Sequence, residues 1–463
     1  MNIQELKSFY KNRKVLITGH TGFKGSWLCL LLKSLEADVY GYSLNPPTSP
    51  SLFELCDIKS IITHYAGDVR DLDTLKYVFN QVKPEIVIHM AAQPIVRDSY
   101  KEPVYTYDVN VMGTVNVLEC VRLNDSVKSF VNVTTDKVYL NRELNKPFKE
   151  DEELCGFDPY SNSKSCSELV TYSYKNSFFG GETGKMSDGR MVSICSSRAG
   201  NVIGGGDFAN DRIIPDCVRA IEAGEDIIVR NPYSIRPYQH VLEPLFVYLS
   251  IAMEQYENPS FAGAYNVGPN DSDCITTGDM VTNFCDKWNN YHKRKDKAEE
   301  FKELNWKNLS DNGPHEAAFL KLDSSKVRKA LYWSPRWSIS ESLEKIVEWT
   351  DIYLSKGNVL ECSINQVNDY LNSYHYSSTK ISLYEFCGNR SPITRSQARK
   401  IGTEIKEYQE VIIDLDKCEI MAQGFADELF RVFQNANPDI KLIPINMNEE
   451  VNFMYLHAIH TKH

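Results

Sequence analysis

A short apolar run, Lys14-Val15-Leu16-Ile17-Thr18, leads into Gly19-His20-Thr21-Gly22-Phe23-Lys24-Gly25, and an apolar-periodic stretch continues to about Leu35. Strand, glycine turn and helix in that order constrain the chain more than any other feature. Glycines three residues apart let the backbone approach a pyrophosphate, and the first helical turn offers unpaired N–H groups. Gly19, Thr21, Gly22, Phe23, Lys24 and Gly25 are therefore candidate contacts to a dinucleotide. The spacing is G-x-x-G-x-x-G rather than the G-x-G-x-x-G of many dehydrogenases. A glycine-rich turn without a ligand is the plainer alternative.

The rest of the N-terminal half repeats the strand–helix alternation. Asp38 to Tyr42 reads as a second strand, with Ser43 and Asn45 after it but no acidic residue to hold a ribose. No Arg or Lys stands there to accept a 2′-phosphate either, which favours NAD over NADP. Gly67-Asp68-Val69-Arg70-Asp71 ends a third strand, placing Asp68 and Val69 near an adenine. Glu85 to His89 is the next strand, followed by the small residues Ala91 and Ala92 where backbone must pass close to a cofactor; tight core packing explains them equally well. A helix from about Val104 to Leu123 carries Asn110, and Ser129 to Val133 delivers Thr134-Thr135-Asp136-Lys137 to a strand end. In an open parallel sheet that edge binds ligands. The expected fold is α/β, a Rossmann-type doubly wound parallel sheet.

Tyr160 and Lys164 stand four residues apart, on one face of an expected helix. A free phenol titrates near about 10, and a neighbouring ammonium or a nicotinamide cation favours its phenolate. Such a tyrosine can take a proton from a sugar hydroxyl. Tyr-x-x-x-Lys is common by chance; what supports it here is its place after a dinucleotide fingerprint and a polar strand end. Beyond residue 200 the pattern is irregular. Asn201, Arg212, Arg230, Arg236 and His240 are candidates to hold a phosphorylated substrate, with surface ion pairs as the ordinary alternative for each.

The net charge of −11 argues against broad nucleic-acid binding. No apolar run reaches membrane-span length and the polar start MNIQELKSFYKNRK lacks a signal core, so a cytoplasmic protein is expected. Twelve cysteines without a Cys-x-x-Cys pair read as reduced thiols, with no metal site expected. The expected domains are 1–354 (dinucleotide core mainly 1–200, substrate lobe mainly 201–354), a linker at 355–379 and a small α/β domain at 380–463. The linker reading rests on the Ser-, Asn- and Tyr-rich stretch SINQVNDYLNSYHYSSTK, with a short helix inside it as the alternative.

Taken together, GHTGFKGSW, AAQPIVRDSY, TTDKVY, DPYSNSK, RAGNVIGGGDFANDRIIPD, RPYQHVLEP and PHEAAFLKLD resemble the extended short-chain dehydrogenase/reductases, and within them the CDP-glucose 4,6-dehydratases. The resemblance implies bound NAD, CDP-glucose as substrate, CDP-4-keto-6-deoxyglucose as product on a route to the dideoxysugars of bacterial O-antigen, and a homodimer. It implies Tyr160 as base, Lys164 as its partner on the nicotinamide ribose, Thr135 at the sugar 4-hydroxyl and Asp136 as acid at C6. Lys137 stands where the dTDP-glucose enzymes have glutamate, as the CDP-glucose family has it; read on its own chemistry it is a base at C5, a charge steadying the enolate, or a side chain turned to solvent. Gln93, Arg97, Asn201, Arg212, Arg230, Arg236 and His240 fall in substrate-binding segments, Gln93 bordering the cofactor as well. RPYQHV replaces the usual RPWQHV, and Asn45 replaces an aspartate. Farther on, ITRSQARKI, VIIDLD and QGFADELFRVF resemble a STAS-like domain, expected to be a binding or regulatory module for an unidentified partner.

Two other functions share these features in part. A nucleotide-sugar 4-epimerase shares fold, cofactor and tyrosine but needs no acid at C6, the role of Asp136. A redox-inactive scaffold would not need the intact Gly, Tyr and Lys set.

Overall fold

The computed structural model describes residues 3–143, 146–293, 302–309, 319–372, 376–406, 408–438 and 440–460. Residues 314–318, the first half of PHEAAFLKLD, lie outside them, as do residues 373–375 of the polar stretch. The chain forms two compact units, one of Gln4–Leu331 and Pro335–Leu371, the other chiefly Asn372–His463.

The first unit is built on seven strands: β1 (Lys14–Thr18), β2 (Asp38–Ser43), β3 (Thr63–Ala66), β4 (Ile86–His89), β5 (Ser129–Thr135), β6 (Ser193–Ala199) and β7 (Ala264–Val267). Their order is β7-β6-β5-β4-β1-β2-β3, every neighbouring pair parallel. Every residue of β4, β5 and β6 is buried, as expected of strands covered on both faces. One face packs Leu16, Val87 and Phe130 against Leu75, Phe79, Val117 and Val121 of two flanking helices. Helix Leu242–Glu257, buried along most of its length, packs on β5, β6 and helix Phe23–Ser34. Strand order reverses between β1 and β4, so the crevice at the carboxyl ends opens there.

Beyond residue 200 the first unit holds a second, smaller core. Helices Ile213–Ala223, Thr277–Lys293 and Ile339–Leu354 gather Ile214, Met280, Phe284, Trp288, Leu343 and Ile346 around the short strands Ile227–Val229 and Trp306–Asn308.

Most of the expected linker is the helix that was its alternative reading. Val359–Asn372 is a 14-residue helix of the first unit, burying Val359, Cys362, Val367, Tyr370 and Leu371. Its polar residues are bonded inward: Ser363 Oγ accepts from Trp349 Nε1 at 3.0 Å and donates to the Val359 carbonyl, and Gln366 Nε2 donates to the Lys345 carbonyl at 2.8 Å. Tyr370 donates to the buried Glu243 at 2.8 Å, and the Arg336 and Trp337 amides donate to the same carboxylate. Each buried apolar side chain is worth about 1.5–3 kcal/mol, so removing five rivals a whole domain's stability of about 5–15 kcal/mol. Truncation after Gly357 should therefore yield insoluble or unfolded protein, whereas truncation after Asn372 should leave a folded unit. Thermal melts of the two truncations check this, and a cooperative melt from the shorter one near the full-length value would contradict it.

The second unit is a three-stranded parallel sheet, β8 (Tyr376–Ser382), β9 (Tyr408–Asp414) and β10 (Lys441–Ile445), with β9 central. Its core holds Ile401, Val411, Ile413, Phe425, Leu429 and Val451. β8 ends at Ser382, whose hydroxyl caps the short helix Leu383–Phe386.

Candidate active site

The glycine loop lies against the turn after β4. Gly19 has φ +78°, and a Cβ there would stand 2.7 Å from the Ala91 nitrogen. A Cβ on Gly25 would stand 2.3 Å from the Gly19 carbonyl oxygen. Gly22 starts helix Phe23–Ser34 with no side-chain cap, so the first-turn N–H groups are free to meet an anion. The loop backbone thus fits a dinucleotide pyrophosphate. The Thr21 hydroxyl does something else: it donates to the Leu44 carbonyl and bonds Ser43 Oγ, both at 2.9 Å, tying the loop to the end of β2. Asp68 is engaged by Arg70, whose amide, Nε and Nη2 donate to its two oxygens. Burial pushes the Asp68 carboxyl up, and Arg70 outweighs it, holding it below the usual carboxylate range. The Val69 carbonyl accepts from Asn116 Nδ2 at 2.9 Å.

Asn110 lies in a π-helical turn, Asp108–Met112, set between the helices Pro103–Tyr107 and Gly113–Leu123. Such turns recur at functional sites. Its Oδ1 accepts from the Gln93 amide at 2.8 Å, and its Nδ2 donates to the Gln93 carbonyl and to Ser163 Oγ. Asn110 therefore clamps the segment Ala91, Ala92, Gln93 to the tyrosine helix. Gln93 Nε2 donates to the Ile95 carbonyl, while its buried Oε1 has no protein partner.

Asp158 caps helix Pro159–Phe178, accepting from the Ser161 amide at 2.9 Å, with Pro159 opening the first turn. That cap sets Tyr160 beside Thr135, the last residue of β5. The Tyr160 phenol bonds Thr135, and Thr135 Oγ1 donates to Asp136 Oδ1 at 2.9 Å. Lys137 Nζ donates to the same oxygen at 3.1 Å. The other carboxylate oxygen, Oδ2, is buried without a protein partner, and Gly200 leaves room beside it: a Cβ there would be 3.3 Å away. Burial pushes the Tyr160 phenol up, and Lys137, the Thr135 bond and Arg212 pull against it. The cation expected to do this was Lys164. Its amine instead donates to the Val133 carbonyl at 3.3 Å, and burial lowers it to about 8 with Glu168 opposing.

One positioning network escaped the sequence reading. Arg198 Nε and Nη2 each donate to a Glu168 oxygen at 3.0 Å, both side chains being buried. Thr134 donates to Glu168 as well, and Arg198 Nη1 donates to Tyr139 and to the Glu150 carbonyl. This fork fastens β5, β6 and the tyrosine helix beneath Thr135 and Asp136. Glu168 stands at i+8 from Tyr160, on the same helix face, which is the signal that could have found it.

The remaining substrate-binding candidates divide. Asn201 Oδ1 is buried without a protein partner, and Arg212 Nη1 donates to Asp207 at 3.1 Å while acting on Tyr160. Arg97 and Arg230 converge on Asp211, at 3.7 and 2.7 Å, and Arg230 also reaches Asp216. Arg236 is buried, its Nη1 donating to the Ile235 carbonyl. His240 is set in core: Trp27 and Trp337 lie edge-on to it, the Leu242 amide donates to its Nδ1, and burial holds it neutral, down to about 3. Among the described residues no cluster of His, Cys, Asp and Glu could hold a metal, and no helix is long and apolar enough to cross a membrane.

Residues 16–346 match a family described as GDP-mannose 4,6 dehydratase, and residues 397–452 match a STAS-like domain of unknown function. A CDP-glucose 4,6-dehydratase of Salmonella typhimurium is 45% identical over 368 residues, covering 79% of this chain and 98% of that protein. A dTDP-glucose 4,6-dehydratase of Shigella flexneri is 24% identical, over 75% of this chain and 94% of its own. Among solved structures, the dTDP-glucose 4,6-dehydratase of Bacillus anthracis in complex with NAD superposes with a TM-score of 0.58 at 20% identity, covering 75% of this chain and 99% of that one. The UDP-glucose 4-epimerase of Thermotoga maritima with UDP-glucose gives 0.60 at 21%, covering 73% and 99%. The structural likenesses establish the fold, and the sequence matches go further: over its first unit this chain belongs to the 4,6-dehydratase family of extended short-chain dehydrogenase/reductases.

Proposed function

We propose that the protein is an NAD-dependent hydro-lyase that converts CDP-glucose to CDP-4-keto-6-deoxyglucose and water. The observation that carries this is Asp136, buried beside Thr135 and Lys137 with one carboxylate oxygen unpartnered. Epimerisation at C4 needs no such acid; elimination at C5–C6 does. The extensive identity with the Salmonella enzyme supports the choice of CDP-glucose.

In this reading Tyr160 takes the 4-hydroxyl proton, with Thr135 beside it to orient that hydroxyl. Lys137 and Arg212 favour the phenolate that does so. A nicotinamide held in the crevice would supply reversible hydride transfer. The 4-ketone acidifies the C5 proton. Lys137 either removes that proton or steadies the enolate, and Asp136 protonates the departing C6 hydroxyl, which leaves as water. Lys164 and Asn110 hold the nicotinamide side; Gln93, Asn201 and Arg212 face the sugar diphosphate, with Arg97, Arg230 and Arg236 beyond. Exposed Val104 on helix Pro103–Tyr107 and Met112 in the π-helical turn, with Leu169 and Tyr172 on the tyrosine helix packed against both, support a homodimer. A cytoplasmic place in O-antigen sugar synthesis follows from the same reading, and the STAS-like unit serves as a binding module.

Incubation with CDP-, dTDP-, UDP- and GDP-glucose tests the substrate: the alkaline absorbance of a 4-keto-6-deoxy sugar is expected from CDP-glucose foremost. Denaturing extraction of the same protein should release NAD. Preference for another nucleotide, or NADP in the extract, would contradict the corresponding part.

A further inference from the structure

The glycine loop carries a cation that its backbone role does not require. Lys24 leaves the first turn of helix Phe23–Ser34, and its Nζ reaches Tyr248 Oη at 3.3 Å, 5.6 Å from that ring's centre. Tyr248 is fully buried on helix Leu242–Glu257. The charges bearing on the amine come from three other segments: Arg212 before helix Ile213–Ala223, Lys164 on the tyrosine helix, and Asp136 with Lys137 after β5. Three are cations. The one anion, Asp136, is shared with Lys137, and Asp207 nearby is held by Arg212. A phenol does not compensate an ammonium in such company. These neighbours place the amine beside Thr135's companions Asp136 and Lys137 and the tyrosine helix.

We propose that Lys24 is a charge-regulated grip for a nucleotide diphosphate: held by Tyr248 among Lys137, Lys164 and Arg212, its amine binds the diphosphate and takes up a proton as it does so. The inference rests on reading the crevice as a site for a nicotinamide dinucleotide and a nucleotide sugar, both of which carry that group. Burial, Arg212 and Lys164 push the amine down to about 7, so near neutrality it is only partly charged. A diphosphate favours the charged form and raises its pKa. Binding just above pH 7 therefore takes up a fraction of a proton, and affinity falls as pH rises from about 7 towards the higher bound value. Below about 7 the amine is already charged and the slope vanishes.

Titration calorimetry of the full chain at pH 7.5, in buffers of different ionisation enthalpy, reads this directly. One arm uses CDP; the other uses NAD after removal of bound cofactor. Proton uptake is expected in at least one arm, and that arm identifies the diphosphate held. There Lys24→Met should lose the uptake and about tenfold or more in affinity, the worth of one charged hydrogen bond. Lys24→Arg should keep most of the affinity without the uptake, which separates charge from loss of fold. Binding of both ligands by the wild type without proton uptake, or with uptake and affinity unchanged in Lys24→Met, overturns the proposal. A wild type that binds neither ligand overturns the reading of the crevice as well.

Discussion

Replacing Tyr160 with phenylalanine is expected to lower turnover about 10²–10⁴-fold, the usual contribution of a positioned general base. Sugar-nucleotide affinity should change little, because the phenol contributes one hydroxyl among many contacts. The structure places that hydroxyl on Thr135, with Lys137 and Arg212 drawing it towards the phenolate against its own burial. Steady-state rates together with direct binding measurements separate the two effects. Near-normal turnover in the variant would remove Tyr160 from the chemistry.

The second large effect separates oxidation from elimination. Asp136→Asn should still let C4 be oxidised, since Tyr160 and Thr135 remain, yet product release should fall by about 10²–10⁴-fold for want of the acid. Quenching with borodeuteride should then trap a hexose that carries deuterium at C4 and keeps its C6 hydroxyl. Lys137→Ala is expected to be less clean. Lys137 pairs with Asp136 at 3.1 Å and also acts on Tyr160, so both half-reactions should slow. Its own signature is reduced wash-in of solvent deuterium at C5. Should that variant form product at the normal rate, another group removes the C5 proton.

Much of the sheet was legible because its signals are local. β1 and its glycine loop could be read from three apolar residues, Val15, Leu16 and Ile17, and three glycines, and β5 from its run into Thr134 to Lys137. What was not legible depended on partners distant in the chain. Helix Val359–Asn372 looked like a linker because Ser363 and Gln366 are polar; both are buried and bonded to Trp349, Val359 and Lys345, which no local pattern reveals. The i,i+4 spacing rightly put Tyr160 and Lys164 on one helix, but Lys164 turns to the Val133 carbonyl, so the cation that reaches the phenol comes from the strand end. Arg198 and Glu168 were unreadable as a pair for the same reason, thirty residues apart in the chain. His240 lay in a substrate-binding motif, yet its surroundings are Trp27 and Trp337.

The central claim is that hydrogen leaving C4 of the sugar returns to C6 of the same molecule while water is eliminated between C5 and C6. It is tested most directly with CDP-glucose deuterated at C4, turned over by the full-length protein in ordinary water. The account predicts CDP-4-keto-6-deoxyglucose with the deuterium in its C6 methyl group. Deuterium lost to water, or retained at C4 of a hexose whose C6 hydroxyl is intact, would contradict it, the latter outcome being that of a 4-epimerase.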